Sequence, residues 1–432
     1  MFPRVALRRV VSQGRAHGGL IKGTVSSEPV DGLVPGFSAS GQDVWLNLED
    51  AEFDGPGLVV SAVGARCGKV FLANGRWGVT ANTSVLLPKL DVVEPRFLWR
   101  ILDDANFWTI GGSAQPYVQM DQSLSSPVPL PPVEEQRRIA DFLDDQVARI
   151  DQVMSDRTRQ REVLSQQFIS RVIQLVGGGT TSPNVMPMSP EWLSQLPATW
   201  LIQPIGVSYD VKLGKMLSQE RSHGRNLAPY LRNANVQWDR IDTEDLELMD
   251  FPPEDWERYQ LKPGDLLICE GGQPGRAAVW LGGDTPMFYQ KALHRARPRG
   301  DHNPRWLLYC LRAAVAANYF AVDGNTTTIA HLTGEQLSAT RFPFPSGEEQ
   351  RALVSELDAL HDSLHMSETA IDSSLALLEE RKRAVITAAV TGELNVTTAQ
   401  PIGVGKWVPN VGASVEGAVA AQAQAPSIGE IG

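Results

Sequence analysis

The sequence repeats itself at long range, and this constrains the fold more than any other feature. Segments 56–69 and 263–276 both carry a Pro-Gly pair, an apolar run and a glycine-rich end, and they align without a gap at an offset of 207 (263 − 56). Pro-Arg-aromatic-Leu at 95–98 returns at 304–307, and a proline-rich run ending in Glu-Glu-Gln-Arg at 129–137 returns at 343–351. A repeat this long excludes a solenoid and indicates two similar domains. Such a chain can present two related surfaces to a partner with twofold character, of which duplex DNA is one.

Each copy runs into a long stretch with apolar residues at helical steps of three and four, which predicts two long amphipathic helices. The expected stripe residues are Ile139, Leu143, Ile150, Leu164 and Phe168 in the first helix, and Leu353, Leu357, Leu360, Leu364, Ile371, Leu375 and Leu378 in the second. A single stripe needs a packing partner, and we expect an antiparallel coiled coil that holds the globular copies at opposite ends. The alternative, in which each helix packs on its own domain, stays open.

The predicted fold is α+β, with two pseudo-symmetric mixed domains joined by these helices and a disordered C-terminal tail. We place the first globular domain at 1–132, its helix at 133–176 and a linker at 177–195. The second domain follows at 196–346, its helix at 347–393 and the tail, which is poor in charge, at 394–432.

Composition limits the possible functions. Apolar residues make up 42% of the chain, and no apolar run is long enough for a membrane span. Three cysteines without metal-site spacing suggest a reducing compartment, so we expect a cytoplasmic protein. A net charge of −11 argues against nucleic-acid binding, since phosphate contacts usually leave a basic footprint.

Catalytic motifs are not found in the sequence. It contains no phosphate-binding loop, nucleophile elbow or zinc-protease motif, and no amino-methyltransferase motif. His361 and His365 have a spacing that could bind a metal, but they flank the apolar stripe, and we predict a plain helix surface there. The glycine-rich segment 271–275 is not followed by a helix signature and predicts a hairpin turn. We therefore expect no catalytic residue and no metal site.

Taken together, the motifs resemble the DNA-specificity subunit of type I restriction–modification enzymes. The family's strand-opening motif is matched at 263–267, its proline-rich strand with Glu-Gln at 128–136 and 342–350, and its spacer-helix opening at 139–144. The typical spacer ending is matched at 388–394 and the opening of the second domain at 196–200. The first domain lacks that opening, so its first strand is expected to be unusual.

The resemblance implies a non-catalytic subunit in which each domain reads one half of a split target in double-stranded DNA. It also implies two methyltransferase subunits and restriction/translocase subunits as partners, which would hold S-adenosylmethionine, ATP and magnesium, with no cofactor in this chain. Two alternatives remain: a non-catalytic DNA-binding or scaffold protein outside restriction, and a fused DNA methyltransferase or nuclease.

Base reading needs guanidinium and amide groups on loops, with lysine or arginine on phosphates. The resemblance places base contacts of the second copy around 230–238. Ordinary surface polarity is the alternative. The candidates in the first copy are Arg66, Lys69, Arg76, Asn82, Gln115 and Tyr117. Those in the second copy are Lys212, Lys215, Arg221, Arg225, Arg232, Asn233, Asn235, Gln237, Gln273, Arg276, Asn325 and Thr326.

Overall fold

The computed structural model describes residues 2–14, 25–179, 185–186, 196–216, 224–320 and 331–396. The chain divides into two compact units. Unit 1 comprises residues 1–151 and 378–432, and unit 2 comprises residues 152–377. The division falls inside both long helices, so each helix contributes one part to each unit.

Unit 1 contains two four-stranded sheets packed on each other. The helix-facing sheet is antiparallel and has the strand order Val11–Gly14, Thr83–Pro88, Gly57–Ser61, Val70–Ala73. The outer sheet has the order Gly41–Leu46, Val34–Ser38, Arg76–Val79, Phe53–Asp54, and its middle pair is parallel. Alternate side chains of the central strand point to opposite faces, as a strand requires. Leu58 and Val60 pack toward the long helices, while Val59 packs between the sheets.

Unit 2 repeats this topology. Its helix-facing sheet has the order Tyr209–Leu213, Leu293–Pro298, Leu266–Cys269, Ala277–Val279, again antiparallel. Its outer sheet has the order Glu247–Asp250, Leu227–Leu231, Phe288–Tyr289, and the last two strands are parallel, as in unit 1. The duplication predicted from the sequence motifs is therefore a duplication of fold.

The proline-rich strands close each globular part in the same way. Pro127–Pro129 pairs antiparallel with Arg4–Ala6, and Arg341–Phe344 pairs antiparallel with Leu201–Pro204. The first strand of unit 1 is thus regular in its pairing, although the sequence opening typical of the second copy is missing there.

The gapless alignment at an offset of 207 is wrong by one residue in the central strand. Leu58 faces the long helices in unit 1, whereas Asp265, its partner at that offset, precedes the strand, and Leu266 takes the helix-facing position. Because side chains alternate with a period of two, the burial pattern fixes the offset there at 208 (266 − 58). The turn is one residue shorter in unit 2, so Gly68 and Gly275 are again equivalent, both with φ of 89°.

Both predicted long helices are confirmed, at Val133–Val176 with 44 residues and at Gly347–Thr391 with 45 residues. At 1.5 Å per residue each is about 66 Å long. Within unit 2, Arg161 pairs with Asp372 and Arg171 with Glu356, so the two helices run antiparallel there.

The same antiparallel pairing occurs in unit 1, where Lys382 Nζ lies 2.6 Å from Asp151. Ile139 and Leu143 of the first helix share a core with Val385 of the second. The helices therefore pack both on each other and on the sheets, and the two packing modes are not exclusive alternatives.

The stripe of the second helix differs from our prediction at one point. Leu360 is 36% exposed, whereas the predicted stripe residues Leu357 and Leu364 are buried. His361 takes the position of Leu360 in the stripe, with its side chain 24% exposed and its ring 5.7 Å from that of Phe168. His361 is thus a partly buried stripe residue and not the plain helix surface that we predicted. A polar residue at a stripe position hides the true register from a search for apolar spacing.

The other described elements are short. The remaining α-helices are Pro95–Leu102, Met120–Ser123, Ile205–Ser208, Pro253–Tyr259, Pro304–Ala316 and Gly334–Ala339, and the 3-10 turns are Leu7–Arg9, Leu48–Asp50, Ala105–Phe107 and Asn233–Asn235. Three small antiparallel pairs join Ile110–Gly111 with Tyr117–Val118, Val185–Met186 with Leu196–Pro197, and Val236–Gln237 with Arg240–Ile241.

Two predicted boundaries are affected. One strand of the second small pair, Val185–Met186, lies inside the segment that we predicted as linker. Leu394 and Val396 pack on the core of unit 1, so packed chain continues past the predicted start of the tail at 394. Residues 397–432, for which we predicted disorder, lie outside the described residues.

Candidate DNA interface

In unit 1 several loops meet at one end of the helix-facing sheet. The loop 62–68 that follows the central strand is held from two sides, because Ala62 N donates to Asn82 O at 2.9 Å and Val118 N donates to Ala62 O at 2.9 Å. Arg66 adds a third tie, since its Nη1 donates to Ser40 O at 2.9 Å. Loops that follow several different strands thus form one surface, which we call the loop surface of unit 1.

Unit 2 builds the same surface with equivalent hydrogen bonds. Glu270 N donates to Ala292 O at 3.0 Å, and Leu332 N donates to Glu270 O at 2.8 Å. Arg276 Nη2 donates to Asn233 O at 3.2 Å and so ties two loops as Arg66 does in unit 1. This is the loop surface of unit 2. Loops on a rigid sheet scaffold are the usual carriers of recognition residues.

The structure brings four of the six candidates of unit 1 together on its loop surface. Arg66, Asn82, Gln115 and Tyr117 are exposed there, and Asn82 has a φ of 68°, which asparagine tolerates better than most residues.

The other two candidates of unit 1 lie elsewhere. Lys69 Nζ is paired with Asp103 at 2.8 Å. Arg76 opens a strand at the opposite end of the sheet, in an open cleft with Asn47, Leu48 and Glu49.

The segment 232–237 of unit 2 is largely engaged in internal bonds. Arg232 is paired with Asp245 at 2.7 Å and with Glu247, and the hydrogen bond to Asp245 raises its pKa. Asn235 is 3% exposed, and its Nδ2 donates to two backbone carbonyls. Burial, followed by a hydrogen bond to Glu247, raises the pKa of Tyr230 to about 12. These side chains shape the loop, and direct base contact by Asn235 would require its hydrogen bonds to break.

Other candidates of unit 2 differ in accessibility. Lys215 is 3% exposed and paired with Asp255, which does not favour a phosphate contact. Gln273 is exposed on the loop surface, and Gln237 Nε2 donates to Ala234 O at 3.1 Å. Lys212 and Arg225 are exposed, and Lys212 Nζ lies 3.8 Å from Asp210. Arg221, Asn325 and Thr326 lie outside the described residues.

Sequence reasoning missed Lys291, which is exposed beside Ala292 on the loop surface of unit 2. Ala292 is the equivalent of Asn82, because each accepts the same backbone hydrogen bond in its unit. The sequence offset between the two copies is 210 at this point (292 − 82), and the repeated motifs do not show it.

Sequence reasoning also matched the Glu-Gln motif without foreseeing the role of its glutamine. Gln136 is fully buried, its Oε1 accepts from Glu94 N at 2.9 Å, and its Nε2 donates to Pro131 O at 2.8 Å. Arg96, in the first turn of helix Pro95–Leu102, then pairs with Asp144 at 2.9 Å. We call this set the pin of unit 1, since it fixes the short helix to the long one.

The pin of unit 2 is built from the repeated residues. Gln350 is fully buried, its Oε1 accepts from Asn303 N at 3.0 Å, and its Nε2 donates to Pro345 O at 2.9 Å. Arg305 pairs with Asp358 at 2.7 Å. Each loop surface is therefore carried by a globular part that is fixed to the long helices in the same way.

The described residues contain no group of three or more histidine, cysteine or carboxylate side chains placed to hold a metal ion. Within the same residues, no helix is both long and apolar enough to cross a membrane. The chemistry that the two loop surfaces offer is hydrogen bonding by amide, guanidinium, ammonium and phenol groups.

Comparison with known proteins agrees with this organisation. A family model described as the type I restriction modification DNA specificity domain matches residues 46–158. The EcoKI specificity subunit of Escherichia coli (strain K12) is 23% identical over 274 residues, which cover 62% of this chain and 57% of that protein. The MjaVIII specificity subunit of Methanocaldococcus jannaschii is 22% identical over 349 residues, which cover 77% of this chain and 78% of that protein.

The fold is also shared with a solved structure. A chain from a study of complex assembly and conformational transition of the type I restriction–modification system superimposes with a TM-score of 0.68 at 17% identity. The superposition covers 91% of this chain and all of that chain. This chain is therefore similar in sequence to specificity subunits of type I restriction enzymes, and it shares its fold with a chain of a type I restriction–modification system.

Proposed function

We propose that this chain recognises a bipartite DNA target as the specificity subunit of a type I restriction–modification complex. The observation that carries the proposal is the duplication of the loop surface, with equivalent hydrogen bonds at Ala62 and Glu270. Two similar surfaces, each on a globular part pinned to the same pair of helices, fit a target with two separated halves. The long helices would then set the distance between the halves.

The catalytic steps belong to other subunits in this proposal. The repeat offers two similar binding faces, which fit two methyltransferase subunits, and restriction/translocase subunits would join that complex. S-adenosylmethionine, ATP and magnesium would be held by those partners. The net charge of −11 predicts that the isolated chain binds DNA weakly, because the partners would supply most phosphate contacts.

The same charge is the one observation that favours a second candidate, a scaffold without a DNA role. The two functions differ in a measurable way. A specificity subunit imposes a sequence on methylation, whereas a scaffold leaves the methylated sequence unchanged when its loops are altered.

The test is co-expression of the full chain with its cognate methyltransferase subunit, followed by sequencing of the methylated positions. The wild-type chain should give one bipartite sequence. Gln115→Ala should relax one position in one half of it, and Gln273→Ala one position in the other half, each costing about 1–3 kcal/mol of discrimination if the glutamine reads a base.

Arg76→Ala is the matched control, since Arg76 lies at the opposite end of the sheet from the loop surface of unit 1. It should leave both halves unchanged. If Arg76→Ala changes a half-site while both glutamine variants keep the wild-type methylated sequence, the DNA interface does not lie on the loop surfaces. Methylation without a bipartite sequence would contradict the proposed function.

A further inference from the structure

The turn directly after the loop segment 232–237 in unit 2 is fixed by a bidentate ion pair. Both carboxylate oxygens of Asp239 accept from Arg305, at 2.7 and 2.6 Å. The Asp239 side chain is only 6% exposed, and its backbone has a φ of 57°, a conformation that aspartate adopts more readily than most residues. A planar guanidinium held by two parallel bonds defines the orientation of its partner as well as its distance.

The same guanidinium reaches the second long helix. Arg305 Nε donates to Asp358 at 2.7 Å, and the Tyr309 hydroxyl donates to the same carboxylate oxygen at 2.6 Å. Burial alone lowers the pKa of Arg305, but the bonds to Asp239 and Asp358 outweigh it and raise the pKa above its ordinary value. The turn, the short helix and the long helix are therefore joined through one arginine that stays charged.

The residue before Asp239 is tied to the first long helix. The Arg312 guanidinium lies over the Trp238 ring at 5.5 Å and over the Phe168 ring at 4.8 Å. His361 of the second helix also approaches Asp239, with its Nδ1 3.7 Å from the carboxylate. We call Trp238, Asp239, Arg305, Arg312 and Asp358 the clamp.

Unit 1 has the pin but lacks this additional tie among its described residues. Arg96, the counterpart of Arg305, pairs with Glu94, Asp141 and Asp144, all of which lie on or next to helices. Its short helix has 8 residues, whereas Pro304–Ala316 has 13, and the additional length of the second supplies Arg312.

We propose that the clamp is a specificity-determining positioning element, which holds the segment 232–237 in a fixed register against both long helices. This inference rests on the proposed function. In this proposal the clamp residues act by positioning the segment and not by contacting the target. They would define where the second half-site lies relative to the helices, so loosening them should alter the gap between half-sites or the second half-site alone.

The experiment uses the full chain co-expressed with its methyltransferase subunit, and reads the gap and both half-sites from sequenced methylated DNA. Asp239→Asn keeps the shape of the side chain but weakens the pairing with Arg305. We expect at least a tenth of the methylated sites to show a gap changed by a base pair or a relaxed second half-site, with the first half-site unchanged. Asp284→Asn, an exposed aspartate of the same unit, is the matched control and should give the wild-type profile.

A second pair of variants keeps the test decisive if Asp239→Asn does not fold. Trp238→Phe retains a ring for Arg312 and should keep the single wild-type gap, whereas Trp238→Ala should broaden it. A clamp with a merely structural role would lower total methylation in proportion to the folded complex and leave the gap and both half-sites unchanged, which would overturn the inference. Loss of any bipartite sequence from the wild-type chain would instead overturn the proposed function, and the clamp's role with it.

Discussion

The two units share a strand order and an apolar layer between their sheets, but this layer differs at the start of the central strand. In unit 1 an aromatic pair lies at that position: Trp77 is fully buried, stacks on Phe53 with ring centroids 4.5 Å apart, and occupies the room left by Gly57. In unit 2 the position equivalent to Gly57 is Asp265, which is 1% exposed and accepts two 2.6 Å hydrogen bonds from Arg297. Beside it, Arg295 is paired with Asp210 at 2.6 Å.

The face turned to the long helices differs much less. Leu58 and Val60 in unit 1, and Leu266 and Ile268 in unit 2, are all buried aliphatic residues, and the glutamine pins are the same. The comparison teaches that the repeat is kept where each globular part meets the helices and is free to diverge between the sheets. The motifs that reveal the duplication in the sequence lie mostly where each globular part meets the long helices.

The largest effect should come from the buried Asp265–Arg297 ion pair of unit 2. Asp265→Ala leaves the Arg297 guanidinium without its buried partner, and breaking such a pair costs roughly 3–5 kcal/mol. Hydrogen exchange read by mass spectrometry should show lost protection in Leu266–Cys269, while Gly57–Ser61 in the same molecule is unchanged. Asp284→Ala, an exposed control, should stay within about 0.5 kcal/mol of wild type. Unchanged protection in Asp265→Ala would mean that the ion pair contributes nothing to this sheet.

Substituting the glutamine of either pin should cost a similar free energy of unfolding, because both pins make the same hydrogen bonds. Gln136→Leu and Gln350→Leu each remove the acceptor of a backbone N–H and the donor of a buried carbonyl, which costs about 3 kcal/mol at roughly 1–3 kcal/mol per orphaned group. Urea denaturation of each full-length variant measures the loss. Gln166→Leu, at an exposed position of the first long helix, controls for the added apolar side chain. A large cost at one pin and none at the other would refute their equivalence.

A smaller effect is expected where Gly57 meets the Trp77 ring in unit 1. In Gly57→Ala the new Cβ would overlap the Trp77 indole ring, and such overpacking costs about 2 kcal/mol. Gly283→Ala is a close control, since its Cβ would lie at an ordinary 3.5 Å from the Trp280 ring. Hydrogen exchange of Gly57–Ser61 should distinguish them, and equal protection in both variants would show that the indole can move aside at no cost.

The sequence predicted the parts of the fold that depend on local pattern. The helix Val133–Val176 begins after the proline-rich strand and ends at consecutive glycines, so both of its ends were readable. The central strands were found through the Pro-Gly pair. The alignment of matching residues, however, is one residue away from the alignment of the helix-facing side chains. Leu360 was assigned to the stripe because His361, a polar residue, occupies the partly buried position beside it.

The candidate site was less predictable, because the fate of a polar side chain depends on distant partners. Arg232 and Asn235 have the chemistry of base readers, yet Arg232 is bound by Asp245 and Glu247 on a neighbouring strand and loop. Lys215 is bound by Asp255, forty positions along the chain. No local pattern announces such pairings. Exposed glutamines such as Gln115 and Gln273 were easier to place, since each lies at a loop tip next to a glycine-rich segment.

The pins have a consequence for how such a chain can change over evolutionary time. Each joins its globular part to the helices through a buried glutamine, the residue that precedes a short helix and an arginine–aspartate pair. A globular segment inherited from another source would dock correctly if it carried the short-helix half of that junction and the same apolar face, whatever filled the space between its sheets. Recombination could therefore replace a loop surface in a single event without rebuilding the helices that carry it.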